Sequence, residues 1–279
     1  MKILYTFFIF VLLLFCYIHI LFHLKKNNDL EIYHLQNPTK EKLDKMISLK
    51  APFLLTLEEN IFPSFITKEY STYDIKIRNR EEKGEIKYLP LSLQKSLKIF
   101  KQDKKGIYFS EKNQEFLKET SLNYKISSSD LFLRPPLLCN SEYDFLIGSN
   151  KSYTPLRYEI SYCNFILVNE GEVKIKIGIP KNFSQLHMEK DYENLDFYSD
   201  INIWENEDKK LSFLEISLKE KECFFIPPYW WYSIQFSKKA NLFLLKYYTF
   251  MNNITILPEI ALSQLQKWNI QNKYYKKIK

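Results

Sequence analysis

An uncharged N-terminal segment constrains the fold of this chain more than any other feature. Ile3 to Leu24, ILYTFFIFVLLLFCYIHILFHL, contains no Asp, Glu, Lys or Arg. As an α-helix it is about 33 Å long, enough to cross a bilayer. A cleaved signal peptide has a shorter apolar stretch followed by small residues, whereas this one ends in bulky side chains before Lys25 and Lys26. The sequence therefore predicts an uncleaved, single-pass anchor over residues 1–26.

The side of the membrane on which the rest of the chain lies is left open by the charges. Lys2 and the amino group flank one end of the segment and Lys25 and Lys26 the other, so the positive-inside rule is nearly balanced. We predict a membrane localisation, a polar tether over 27–39, one folded domain over 40–255 and a basic C-terminal helix over 256–279.

Composition indicates a globular domain with an ordinary interior. The chain has 46% hydrophobic and 16% aromatic residues, ample for one full-sized core. Its last sixteen residues, QLQKWNIQNKYYKKIK, carry five of the seven net positive charges. A solvated helix face explains that tail better than nucleic-acid binding does, and we expect no nucleic-acid partner. Cys139, Cys163 and Cys223 form no C-x-x-C pair, which favours free thiols.

Secondary-structure signals change in character near residue 130. Before it, helices are predicted over 40–50 and 92–102, with a short strand in APFLLTL. After it, short apolar runs follow one another between Pro, Gly, Asn and charge clusters, a pattern typical of an antiparallel sandwich or barrel. These runs are LFLRPP, YDFLIG, RYEISYCNFILVN, EVKIKIGIP, LSFLEISL, CFFIPP, WWYSIQF and NLFLLKYYTF. A last helix is predicted from about 259 to 276.

Two of these stretches carry a resemblance to a known family. IGSNKSYTPLRYEISYCNFILVNEGEVKIKIGIPKN and ECFFIPPYWWYSIQF resemble the metal-binding strands and the Trp-Trp-His hairpin of the JmjC-like (cupin-8) hydroxylases, which depend on 2-oxoglutarate and Fe(II). The resemblance covers roughly residues 42 to 250. It implies a mostly β fold, a double-stranded β-helix (cupin or jelly-roll barrel) with flanking N-terminal and C-terminal helices, preceded here by the transmembrane helix.

The positions that match the family's metal ligands are degenerate. Its 2-His-1-carboxylate set falls on Arg157, Glu159 and Tyr232. Such a set holds Fe(II) and leaves positions open for co-substrate and dioxygen, but a guanidinium cannot be deprotonated in a protein and repels a metal ion. Of the four histidines, His187 is the one within the predicted domain, and it matches no ligand position. We therefore expect no metal, no catalytic residues and no cofactor.

The residues that match the family's co-substrate pocket are partly kept. The resemblance places Thr154 and Asn164 in that pocket, Asn164 one residue later than expected, and Trp231 at its corner. Lys174 joins them only if its strand carries a one-residue insertion. Strict alternation instead turns Val173, Ile175 and Ile177 inward and leaves Lys174 in water.

Arg157 and Glu159 allow two readings from their chemistry alone. Two residues apart on a strand, they point to the same side, so an ion pair between them, with the Tyr232 hydroxyl as a third member, would replace metal-ligand bonds by charge-assisted hydrogen bonds. Arg157 would equally suit an acidic small ligand, which the pocket would bind without oxidising it.

Three functions follow from these observations. The first is a membrane-anchored, catalytically inactive relative of the hydroxylases that acts as a binding or structural module, with a protein partner or an acidic ligand. The second is an active 2-oxoglutarate-dependent oxygenase with an atypical Fe(II) site that uses Glu159, Tyr232 and His187. The third, a lumenal carbohydrate-processing protein, lacks a carboxylate pair to support it. The resemblance also leaves homodimerisation through the last helix open.

Overall fold

The computed structural model describes residues 1–57, 68–81, 87–183, 188–205 and 211–277. The α-helices are α1 (Lys2–Leu24), α2 (Lys40–Leu49), α3 (Leu93–Gln102), α4 (Gln114–Glu119), α5 (Leu122–Ser129), α6 (Phe250–Thr255) and α7 (Leu257–Lys277). A 3-10 turn covers Pro180–Phe183. The strands are β1 (Tyr33–Gln36), β2 (Phe53–Thr56), β3 (Asp74–Asn79), β4 (Leu89–Ser92), β5 (Tyr108–Ser110), β6 (Leu138–Gly148), β7 (Leu156–Tyr158), β8 (Cys163–Glu170), β9 (Glu172–Gly178), β10 (Glu189–Asp191), β11 (Asp196–Ser199), β12 (Leu214–Lys219), β13 (Cys223–Ile226), β14 (Trp231–Phe236) and β15 (Asn241–Thr249).

The strands form two sheets. The first has nine strands in the order β1-β2-β13-β8-β15-β6-β5-β3-β4, and the second has six in the order β10-β11-β7-β14-β9-β12. Among the described strands, each sheet runs from one edge strand to the other, and the two do not close into one hydrogen-bonded barrel. The prediction of a mostly β fold with an apolar N-terminal helix and C-terminal helices is confirmed at this level.

The first sheet is the middle layer of the domain. One of its faces packs on α2 to α5, and the other packs on the second sheet. On β15, for example, Phe243 and Leu245 face the helices, whereas Leu242 and Leu244 face the second sheet. A strand buried on both faces needs apolar residues at successive positions. That requirement explains why runs such as NLFLLKYYTF are nearly continuous in the sequence.

Most local predictions from the sequence are confirmed, and one is wrong. The helices predicted over 40–50 and 92–102 are α2 and α3, and the last predicted helix lies within α7. LFLRPP, predicted as a strand, instead forms turns, and β6 begins only at Leu138. The physical reason is that consecutive prolines lack the N–H groups that a strand donates to its neighbours.

Two stretches that read as continuous in the sequence cross between the sheets. In RYEISYCNFILVN, β7 ends at Tyr158 in the second sheet and β8 begins at Cys163 in the first. In CFFIPPYWWYSIQF, the Pro-Pro turn carries the chain from β13 in the first sheet to β14 in the second. Tyr229 takes the left-handed conformation that this turn requires, with φ 66°. Trp230 then fills the space between the sheets.

Helix α1 is long and apolar enough to cross a membrane, a test of length and composition that a signal sequence also passes. Residues 1–15 of the chain are all exposed. Cys16, His19, Ile20 and His23 are covered to differing degrees and recur at the spacing of one helix face. The last two turns of α1 therefore pack on the domain, where α6 is their neighbour.

The carboxyl end of α1 is fastened by one buried lysine. Lys50 Nζ donates to the carbonyl oxygens of Phe22, His23 and Lys25 at 2.5, 2.8 and 2.9 Å. Carbonyls at a helix end lack partners within the helix, and the helix dipole favours a cation there. Lys50 itself is 4% exposed and follows α2 in the left-handed conformation. The stretch predicted as a tether, 27–39, contains β1, which pairs in parallel with β2.

Candidate functional site

Arg157 and Tyr232 lie side by side because their strands pair. β7 and β14 are antiparallel neighbours, and Arg157 is directly opposite Tyr232. Along β14, Trp230, Tyr232 and Ile234 all belong to the cluster between the two sheets, as expected of alternate residues on a strand. The side chain of Tyr232 is therefore enclosed, with 1% of its surface exposed. Strand pairing thus brings two of the three predicted metal-ligand positions together, and the Tyr232 hydroxyl contacts the third, Glu159.

The guanidinium of Arg157 is neutralised by a carboxylate that the sequence did not point to. Arg157 Nη2 donates to Glu111 Oε2 in a short hydrogen bond. Glu111 lies just after β5, and its other oxygen accepts from Arg78 Nη1 at 3.2 Å and from the Tyr88 hydroxyl at 2.9 Å. The side chains of Glu111 and Arg157 are 1% and 12% exposed. This is a buried, charge-assisted cluster of the kind that contributes most when every member is paired.

The electrostatics of Glu111 follow from this arrangement. Burial alone raises the pKa of Glu111, but the charges of Arg157 and Arg78 outweigh it and lower the pKa to about 2. Burial alone lowers the pKa of Arg157, and the Glu111 carboxylate raises it well above its ordinary value. Both groups are therefore charged at neutral pH. The charges of the two arginines keep the buried Glu111 carboxylate ionised.

Glu159 forms a second cluster next to the first. Its Oε1 accepts from the Tyr232 hydroxyl at 2.8 Å, and its Oε2 accepts from Lys246 Nζ at 2.5 Å. Burial and the Glu159 charge raise the pKa of Tyr232, which stays a neutral donor. Burial alone lowers the pKa of Lys246, and the Glu159 carboxylate raises it well above its ordinary value. Both oxygens of Glu159 are thus engaged by groups of the chain itself.

The predicted ion pair between Arg157 and Glu159 is not formed. In the part of the chain that the structure describes, Arg157 pairs with Glu111 and Glu159 pairs with Lys246. The reason is that β7 ends at Tyr158 and the chain then crosses towards the other sheet, so the alternation that would align residues 157 and 159 does not continue. The predicted hydrogen bond between Tyr232 and Glu159 is present.

Lys246 and Glu111, the two ion-pair partners that were not predicted, differ in how visible they are in the sequence. Lys246 is a single charge within the apolar run NLFLLKYYTF, and alternation places it on the same face as Leu242 and Leu244, between the sheets. A lysine on a core-facing position could have been found from the sequence. Glu111 lies in a loop after a three-residue strand, and nothing in its local sequence distinguishes it from other surface glutamates.

Thr154 and Asn164 are buried, and their polar groups bind the chain itself. Thr154 Oγ1 accepts from the Ile234 N–H at 3.0 Å. The Thr154 carbonyl accepts from Ser233 Oγ at 2.6 Å. Asn164 accepts a short hydrogen bond from the Ser161 hydroxyl and donates to the Ile226 carbonyl at 3.2 Å. These bonds tie the segment before β7 to β14, and β8 to β13.

Lys174 and Trp231 also have defined surroundings. Lys174 is exposed and pairs with Glu215 at 3.0 Å, while Val173 and Ile175 are buried, so strict alternation holds on β9 and Lys174 does not reach the space between the sheets. Trp231 is 4% exposed and packs with Leu156 in a small cluster apart from the one that contains Tyr232.

Iron(II) does not fit the three positions. Arg157 offers no lone pair, the Tyr232 hydroxyl is spent on Glu159, and Glu159 already binds Lys246. The described residues contain no group of three or more His, Cys, Asp or Glu placed to hold a metal ion. His187, which the alternative oxygenase site requires, lies outside the described residues. No catalytic step through a metal is derived for this site.

A comparison of the chain with protein-family models gives no match, and a comparison with curated proteins also gives none.

Proposed function

We propose that the chain is a single-pass membrane protein whose domain is a JmjC-like double-stranded β-helix without oxygenase activity, acting as a binding or structural module. The single observation that carries the proposal is the pair of ion clusters at Arg157, Glu159 and Tyr232. In an iron site, ligand lone pairs must be free to bind the metal. Here Arg157 has no lone pair and donates to Glu111, and the two oxygens of Glu159 accept from Tyr232 and Lys246.

The contacts of α1 support an anchor that stays attached. Lys50 is buried, and its ammonium donates to three carbonyl groups between Phe22 and Lys25. Cleavage after the apolar segment would remove the Phe22 and His23 carbonyls and free the Lys25 carbonyl, so Lys50 would lose the hydrogen bonds that bind it to the helix end. A signal sequence that is removed would not contribute hydrogen bonds to the folded domain.

The proposal is tested on the full-length chain reconstituted in lipid nanodiscs. Iron content after anaerobic loading, and succinate formed from 2-oxoglutarate under air, are measured together. We expect neither stoichiometric iron nor succinate. Stoichiometric iron with steady succinate formation would overturn the proposal and favour the oxygenase alternative.

A gain-of-site variant provides the comparison. It combines Arg157→His and Tyr232→His with Glu111→Gln, because removing Arg157 alone would leave the buried Glu111 carboxylate without its closest cation. Metal uptake by this variant and not by the native chain would support an inherited site whose ligands have been replaced. Lys174→His serves as the matched control, because Lys174 is exposed and pairs with Glu215 outside the ion clusters.

One observation favours a second candidate, the binding of a small carboxylate. Arg157 Nε is fully buried and has no hydrogen-bond partner among the described residues. A buried, unpaired donor on a cation is costly, and a carboxylate is the group that a guanidinium binds best. Calorimetric titration of the native chain with 2-oxoglutarate and succinate tests this candidate. Binding that Arg157→Lys abolishes would support it, and absence of heat for both ligands would refute it.

A further inference from the structure

The position of the domain against α1 leaves too little free helix to cross a bilayer. Residues 2–15 are the part of α1 that is exposed on all sides, and they form a helix about 21 Å long. A hydrocarbon core is about 30 Å thick. The shortfall of about 9 Å must come from the last two turns of α1, the turns that the domain covers.

The covered turns therefore bring part of the domain to the depth of the lipid. α6 packs against α1. The ring of His23 also contacts Tyr162, with ring centres 5.2 Å apart. Because Lys50 fixes the end of α1 through three carbonyl groups, the domain is not free to swing away from the membrane on a flexible linker. If the covered turns enter the bilayer, their neighbours enter with them.

Three exposed apolar residues lie in segments next to the elements that hold the covered turns. Phe250, the first residue of α6, is 60% exposed, and its N–H donates to the carbonyl of Leu137, which is 79% exposed. Leu49 precedes the fastening residue Lys50 and is 57% exposed. We name Leu49, Leu137 and Phe250 the collar. Leu49 adjoins the residue that binds the end of α1, and Phe250 begins the helix that packs on α1. Exposed apolar side chains at such positions suit an interaction site.

Charge at the same end of α1 is positive. Lys25 and Lys26 follow the helix and are exposed, and Lys26 Nζ lies 4.8 Å from the centre of the Tyr229 ring. Lysines next to a membrane segment are attracted to anionic lipid headgroups. An apolar collar with adjacent lysines is the arrangement found in proteins that rest in the interface of a bilayer.

We propose that the collar is a membrane-contacting surface, immersed in the headgroup and outer acyl region of a bilayer that contains anionic lipid. The inference rests on the proposed membrane anchor and goes beyond it, since it fixes how the domain sits. The site between the sheets is then held at a constant height and tilt above the lipid.

The test measures the depth of single labels on the full-length chain in phosphatidylcholine–phosphatidylserine vesicles. Cys16→Ala and Cys139→Ser remove the thiols that are not buried. Leu49→Cys, Leu137→Cys and Phe250→Cys are then labelled one at a time with an environment-sensitive fluorophore. Leu89→Cys is the matched control, because Leu89 is 59% exposed and lies on β4, at the opposite edge of the first sheet from β1.

We expect lipids that carry a nitroxide near the headgroup to quench the collar labels. Aqueous iodide should quench these labels about fivefold less than the Leu89 label, because interfacial residues lie below the reach of an aqueous quencher. Alkaline carbonate extraction is run in parallel. If the chain resists carbonate extraction but iodide quenches the collar labels as strongly as the Leu89 label, the collar does not contact the membrane, and the proposed anchor is unaffected. Iodide protection without nitroxide quenching would point to a protein covering the collar and also overturn the proposal. Release by carbonate would overturn the anchor and the collar together.

Discussion

Replacing Arg157 by Met measures what the buried ion cluster contributes to the stability of the domain. The variant keeps most of the side-chain volume and removes the charge that faces Glu111, whose side chain is 1% exposed. Breaking one partner of a buried pair typically costs about 3–5 kcal/mol, because the remaining charge stays desolvated. Arg78 and the Tyr88 hydroxyl still contact Glu111, so we expect the lower end, about 3 kcal/mol.

The assay is unfolding of the full-length chain in a mild detergent, followed by tryptophan fluorescence. Trp230 and Trp231, two of the four tryptophans of the chain, are 0% and 4% exposed and directly precede Tyr232, so their contribution to the emission reports on this part of the domain. For a domain of this size, a loss of 3 kcal/mol corresponds to a lowering of Tm by about 6–12 °C. Lys174→Met is the matched control and is expected to change the free energy of unfolding by about 0.5 kcal/mol or less, because its ion pair is exposed.

A double-mutant cycle separates the ion pair from simple loss of packing. Glu111→Gln alone leaves Arg157 buried without its carboxylate and is expected to destabilise, whereas Arg157→Met with Glu111→Gln removes both charges. We expect the double variant to be more stable than the sum of the single effects by at least about 1 kcal/mol, the coupling typical of residues in contact. Additive effects, or an Arg157→Met variant as stable as the native chain, would refute the reasoning.

Three further predictions follow from the same contacts. Tyr232→Phe removes the hydroxyl that donates to Glu159 at 2.8 Å. We expect the free energy of unfolding in urea to fall by about 1.5–3 kcal/mol, the range for hydrogen bonds to charged groups. A decrease below about 0.5 kcal/mol would contradict a buried hydrogen bond. The pKa of Glu111 is lowered from 4.5 to about 2, so its contribution to stability is complete above pH 4.5 and is lost as the pH falls through about 2. The native chain should lose about 3 kcal/mol of unfolding free energy over this window, and Glu111→Gln should lose less. Equal acid-unfolding curves for the two chains would contradict the lowered pKa. Lys50→Met leaves the carbonyls at the end of α1 without their donor, and we expect faster amide hydrogen exchange over residues 22–27 than in the native chain. Lys45→Met, at an exposed position on α2, is the control and should exchange like the native chain. Unchanged exchange in Lys50→Met would show that α1 is held without Lys50.

The candidate site illustrates where sequence reasoning is sufficient and where it stops. The resemblance placed Arg157 and Tyr232 at one site, and the two residues lie opposite each other on paired strands. The alternation that keeps Lys174 in water also held, because β9 is a regular strand. The partner of Arg157 could not be predicted, since Glu111 lies 46 residues earlier in the chain. A contact of that separation depends on how β5 and β7 are brought together, which no local pattern encodes.

The sequence by itself determined the apolar N-terminal helix and the β-rich character of the domain. These properties follow from composition and periodicity, which act over a few residues at a time. Only the tertiary structure decided which charges neutralise one another between the sheets and how the end of α1 is fastened to Lys50. A buried charge must find a partner in space wherever the fold supplies one. The choice between Glu111 and Glu159 for Arg157 was therefore made by the crossing of the chain from one sheet to the other, and not by the spacing of residues along it.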